Sequence, residues 1–96
     1  MLNTEIIEKI CLLTGENNAE KALEFIVVDY LSLKIEQLQN KISFFESKWK
    51  MNYEEFEKKS VEMSDGFSYT TEKEYLEWGE TVAALKYYSK IKEQWT

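Results

Sequence analysis

The stretch from Val28 to Trp49, VDYLSLKIEQLQNKISFFESKW, decides the fold. Val28, Leu31, Ile35, Leu38, Ile42, Phe45 and Trp49 follow one another at steps of 3, 4, 3, 4, 3 and 4 residues. This is the a/d spacing of a helix that buries a narrow apolar seam against another helix. No helix breaker occurs from Asn17 to about Lys50, and Asn17 with Glu20 has the N-x-x-E form of a capping box. At 1.5 Å per residue such a helix spans about 50 Å. A compact chain of this size has a radius of gyration of only about 12–13 Å. The helix must therefore break, or project and find a partner. The seam is either intramolecular core or a self-association contact, and two antiparallel long helices with the last helix packed alongside are the expected picture.

The segments on either side are also helical in pattern. Upstream, Leu2, Ile6, Ile7, Ile10, Cys11 and Leu13 make one broad apolar face over residues 4–13, and Gly15 suits the left-handed residue after a helix end. Downstream, Asn52 and Glu55 repeat the N-x-x-E cap, and Tyr53, Phe56, Ser60 and Met63 form a weaker stripe. Residues 64–70 read as a loop around Asp65-Gly66. A last helix is expected from about Glu72 to Gln94, with Thr71 and Glu74 as its capping box. Its rows Tyr75, Trp78, Val82, Leu85, Tyr88 and Ala84, Tyr88, Ile91, Trp95 give it a wide apolar arc, so two neighbours are expected. Gly79 inside it costs about 1 kcal/mol relative to Ala, which points to close helix packing there. The fold expected is all-α: one domain over residues 1–96, a helical hairpin or bundle around a long central helix. Residues 1–50 supply helix 1 and the long helix, and residues 51–96 supply an acidic aromatic module and the C-terminal helix.

The missing residue types narrow the function. The chain has 96 residues and no His, Arg or Pro; all twelve basic residues are Lys. Without His there is no imidazole base, no Ser-His or Cys-His pair and no His zinc ligand. Without Arg there is no bidentate clamp on phosphate or guanine. Cys11 is the single cysteine, which excludes an intrachain disulfide and reads as a small buried hydrophobe. The longest apolar run, Phe25-Ile26-Val27-Val28, is far short of the ~20 residues of a membrane span. Met1-Leu2-Asn3-Thr4-Glu5 has no basic n-region of a signal peptide. A cytoplasmic location is expected, with no membrane contact.

Charge is unevenly distributed around a net −6. Residues 51–80 carry nine acids and three lysines, net −6, whereas residues 81–96 carry one acid and three lysines, net +2. The acidic segment is interleaved with Tyr53, Phe56, Phe67, Tyr69, Tyr75 and Trp78. It is either a solvated face or a recognition surface for a basic partner. Direct nucleic-acid binding is not expected, because no basic stripe exists. The E-x-x-E pair Glu54/Glu57 and the E-x-x-D pair Glu62/Asp65 have the spacing of magnesium-binding helical pyrophosphatases. They are too close in sequence to lie on two facing helices, so no enzyme, metal or cofactor is expected.

Phe44-Phe45-Glu46-Ser47-Lys48-Trp49-Lys50-Met51-Asn52-Tyr53-Glu54-Glu55-Phe56-Glu57, followed by Tyr75-Leu76-Glu77-Trp78, resembles a pattern of small acidic archaeal and cyanobacterial proteins. In those proteins a long helix ends in an acidic aromatic phrase, and an acidic linker and an "EW" helix follow. They look like antitoxin-type partners encoded beside small nuclease-like toxins. The likeness covers residues 38–85. It implies a neutraliser whose Glu54, Glu55, Glu57, Glu74 and Glu77 meet basic residues of the partner, while Phe56 and Trp78 fill its pockets. A self-associating adaptor, dimeric through the Val28–Trp49 seam and without a basic partner, is the competing expectation.

Overall fold

Asparagine side chains start three of the four helices. The computed structural model describes residues 3–62 and 69–96 and contains α1 (Thr4–Thr14), α2 (Ala19–Trp49), α3 (Tyr53–Glu62) and α4 (Tyr69–Trp95), with no strand among the described residues. The Oδ1 atoms of Asn3, Asn18 and Asn52 accept from the backbone N–H of Ile6, Lys21 and Glu55, each at 2.9 Å. Each bond satisfies one of the orphan donors of a helix start. The expected cap at Asn52 is therefore present, whereas the cap of α2 is Asn18 rather than Asn17. Gly15, at φ 74°, ends α1 in the left-handed conformation, and its N–H donates to the Cys11 carbonyl. Two further residues carry the chain out of that turn before Asn18, which displaces the start of α2 by one residue.

The end of α2 is less orthodox. Lys50 holds the left-handed conformation at φ 55°, a position that normally favours Gly. The chain turns there and enters α3 three residues later. The fourth helix begins at Tyr69, so Thr71 lies inside its first turn and does not cap it. Residues 69–70 of the expected loop are helical, because nothing in Tyr69-Thr70-Thr71 breaks a helix. The rest of that loop, with Asp65 and Gly66, lies outside the described residues, as do Leu2 and Met63.

The long central helix is unbroken. Its 31 residues span about 46 Å. Its antiparallel neighbour is supplied by the same chain: Lys48 pairs with Glu74, Lys41 with Glu77 at 2.7 Å, and Lys34 lies over the ring of Tyr88 at 5.8 Å. Positions rise along α4 as they fall along α2, which defines the antiparallel pair. The molecule is correspondingly long, 61 × 23 × 20 Å, with a radius of gyration of 19.4 Å. α1 lies against α2, and Ala22 near the start of α2 is buried.

The core sits at one end. Phe45 of α2, Phe56 of α3 and Trp78 of α4 are buried together, flanked by Trp49, Met51, Tyr53, Tyr75 and Val82. Phe45 stacks on Trp78 at 5.4 Å, Phe56 lies 5.2 Å from Trp78, and Trp49 lies 4.8 Å from Phe56. Offset and tilted pairs at these separations add about 0.5–1.5 kcal/mol each to the burial itself. Gly79 packs closely as its cost suggested, its neighbour being α3: a Cβ there would lie 2.6 Å from the Tyr53 hydroxyl oxygen and 3.2 Å from Cζ. Thr81, also buried, returns its hydroxyl to the Glu77 carbonyl at 2.8 Å and so leaves no donor unsatisfied.

Candidate functional site

The acidic residues of α3 gather beside a groove rather than across a uniform face. Asn52 fixes the start of α3, which places Glu54 and Glu57 along a depression of about 540 Å³ between α2, α3 and α4. Ile42, Tyr53 and Val82 supply its apolar lining, Glu46 of α2 adds a third carboxylate, and Lys86 stands beside them. Three carboxylates around an apolar lining match the two parts of a lysine or arginine side chain, a hydrocarbon stem and a charged head. Glu46 was not among the residues expected from sequence. Its only signal is that it lies one residue past Phe45, off the buried seam and on the side toward α3.

The other expected partner-binding residues are placed differently. Glu55 is exposed in the first turn of α3, where a carboxylate also complements the helix dipole. Glu74 and Glu77 are tied to Lys48 and Lys41 across the α2–α4 interface. The Lys41 hydrogen bond, and then its charge, hold the Glu77 carboxyl below its ordinary range, with Lys73 adding to the effect. Phe56 and Trp78, expected as anchors for a partner's pockets, are 1% and 0% exposed. They are core residues: packing of α3 against α4 consumes the surface that anchoring would need. Glu55 and Glu57, the acidic flanks of Phe56, are exposed, whereas Glu77 beside Trp78 is half-buried against Lys41.

The seam residues are largely covered within the chain. Leu31 and Phe45 are buried, and Val28, Ile35, Leu38, Ile42 and Trp49 are half-buried. Phe45 and Trp49 belong to the aromatic core shared with α3 and α4. A second seam on α2, running from Leu23 to Phe44, is exposed; Gln37 and Asn40 interrupt its apolar pattern and hid it from the sequence reading.

Burial also tunes the groove's tyrosine. The Tyr53 hydroxyl is pushed up to about 12, first by desolvation and then by its hydrogen bond and proximity to Tyr75, with Glu57 adding repulsion. Tyr53 thus stays a neutral hydrogen-bonding group at any physiological pH. At the opposite end, Tyr88 is raised by the neighbouring Tyr30 charge, then by burial and their shared hydrogen bond.

Among the described residues, no group of three or more His, Cys, Asp or Glu side chains is placed to hold a metal ion. The Glu62/Asp65 pair falls outside the described side chains. Cys11 is a free, half-buried thiol lining a shallow groove with Ile7, Leu12 and Ala19. No helix among the described residues is long and apolar enough to cross a membrane. No protein-family model, curated protein or solved structure matches this chain.

Proposed function

We propose that this chain is a cytoplasmic, non-enzymatic protein-interaction module, and that a basic protein docks a lysine or arginine in the groove rimmed by Glu46, Glu54 and Glu57. The groove is the observation that carries this reading, because it brings three carboxylates against one lysine, Lys86, and an apolar lining in one depression. A partner that uses basic residues to hold RNA phosphate would lose them to such a site. This is the neutralising role that the antitoxin-type resemblance implies, with occlusion as its mechanism. Steering by the net −6 of residues 51–80 would speed the encounter and weaken with salt.

The test is capture of a stoichiometric basic protein from native lysate at low salt, its loss at high salt, and its loss on reversing Glu46, Glu54 and Glu57 to Lys. Capture that survives the triple reversal sinks the proposal. Glu74→Gln and Glu77→Gln should leave capture unchanged, because those carboxylates serve the α2–α4 pair.

A further inference from the structure

The central helix carries two heptad rows, and only one is covered along its length. The first, Val28 to Trp49, is covered by α4 and α3. The second runs Leu23, Ile26, Tyr30, Leu33, Gln37, Asn40 and Phe44, again at steps of 3, 4, 3, 4, 3 and 4. At about 100° per residue the two rows lie roughly 140° apart around the helix. Every member of the second row is exposed; its apolar members are Leu23 41%, Ile26 40%, Tyr30 55%, Leu33 54% and Phe44 61%. Single exposed apolar residues are ordinary, but Leu23, Ile26, Tyr30 and Leu33 adjoin on one coiled-coil stripe, and Phe44 continues it beyond Gln37 and Asn40. α1, about 16 Å long, can cover at most the first three turns of α2. Tyr30, 55% exposed, also shares a hydrogen bond with Tyr88 of α4; from Leu33 onward the row is exposed.

We propose that a second copy of this chain covers this row, in a parallel two-stranded coiled coil of α2 with α2. The flanking charges argue for both the partner and its direction. With Leu23 at an a position, Asp29 and Glu36 precede the a residues Tyr30 and Gln37, while Lys34 and Lys41 follow the d residues Leu33 and Asn40. In a parallel pair, a g residue meets the e residue five positions later on the other strand. Asp29 then faces Lys34 of the second copy and Glu36 faces Lys41, and symmetry repeats both contacts. In an antiparallel pair e faces e and g faces g, so lysine would meet lysine and acid would meet acid.

The lysines are placed to serve both neighbours. Lys34 has no carboxylate partner among the described residues and lies over the Tyr88 ring. Lys41 already pairs with Glu77, yet its side chain is 44% exposed and can share its charge. Gln37 and Asn40 would each meet their own copy in the middle of the row, where polar pairs fix register and lower stability. The apolar members, each carrying roughly 150–250 Å² when aromatic and less when aliphatic, leave about 500 Å² per copy to bury. That is below the ~800 Å² per partner of a standard stable interface. The dimer is therefore weak and dissociates on dilution.

This inference shares the interaction-module reading but does not use the acidic groove. The experiment is sedimentation equilibrium of the pure full chain over a wide concentration range. Wild type should pass from monomer to dimer mass. Tyr30→Glu with Leu33→Glu should stay monomeric with unchanged helix content by circular dichroism. A wild type that stays monomeric into the millimolar range overturns the proposal, as does a dimer that persists in this variant. If that variant loses helix, Asp29→Lys with Glu36→Lys decides instead: dissociation at low salt should rise about tenfold, by roughly 1.4 kcal/mol of lost charge pairing, and no change overturns it. Gln37→Cys in a Cys11→Ser background should cross-link to itself in the parallel pair. A dimer that forms without that cross-link overturns the direction. Glu54→Lys with Glu57→Lys should leave the dimer intact, so loss of groove binding and loss of pairing are read separately.

Discussion

The two ends of this rod differ in how they use apolar residues. At the end where α3 packs, Phe45, Phe56 and Trp78 are 3%, 1% and 0% exposed and lie within 5.4 Å of a ring neighbour. At the other end, Leu12 and Leu13 are 82% and 87% exposed, and Phe25 of α2 and Tyr87 of α4 are at least half exposed. What differs is how closely the helices close over one another. Three helices meet around Trp78 and enclose a core. Toward the start of α2, α1 and the last turns of α4 flank the long helix without closing over it. The closed core is thus at one end, and the most exposed apolar side chains, Leu12 and Leu13, are at the other.

The sharpest way to break that contrast is to remove a large side chain from each end. Trp78→Ala should lose about 3–5 kcal/mol in urea unfolding, as for a buried aromatic. Phe25→Ala should stay within about 0.5 kcal/mol, as for a surface position. Equal losses would show that the two ends share one core. Next in size, Gly79→Ala gains helix propensity but drives a methyl into Tyr53, and should lose about 1–3 kcal/mol as overpacking does. Tyr53→Phe in the same chain should recover part of that loss, since the 2.6 Å contact is with the hydroxyl oxygen.

A smaller effect is alkaline. The folded Tyr53 binds its proton more tightly than the unfolded one, so its contribution is fully present below pH 10 and is lost as pH rises toward about 12. The midpoint of thermal unfolding should fall across that window, and less steeply in Tyr53→Phe. Smallest, Lys50→Gly relieves a left-handed lysine and should gain about 1 kcal/mol or less. Thermal melts of that variant test whether the joint between α2 and α3 is part of the stable end.

Much of this architecture was legible because helix periodicity survives noise. Seven residues from Val28 to Trp49 at 3- and 4-residue steps identify the long helix and its buried side, and Asn52 with Glu55 marks the start of α3. Two adjacent asparagines offered equal caps for α2, and the geometry after the left-handed Gly15 chose Asn18. Phe56 and Trp78 were assigned to a surface because their sequence neighbours are acidic, yet a helix turns neighbours 100° away from one another. The exposed row on α2 was hidden by Gln37 and Asn40, two polar residues where an apolar pattern requires none. Glu46 could not be linked to Glu54 and Glu57 without knowing how sharply the chain turns at Lys50.

The elongation has a hydrodynamic consequence. A radius of gyration of 19.4 Å is that of a compact globular chain of roughly 300 residues. A rod about three times as long as it is wide drags more than a sphere of the same mass, so a single copy leaves a gel-filtration column somewhat ahead of its mass. Elution volume alone would overstate the mass of this monomer, and side-by-side pairing along α2 would widen the rod while barely lengthening it. Association of this protein changes its mass far more than its longest dimension.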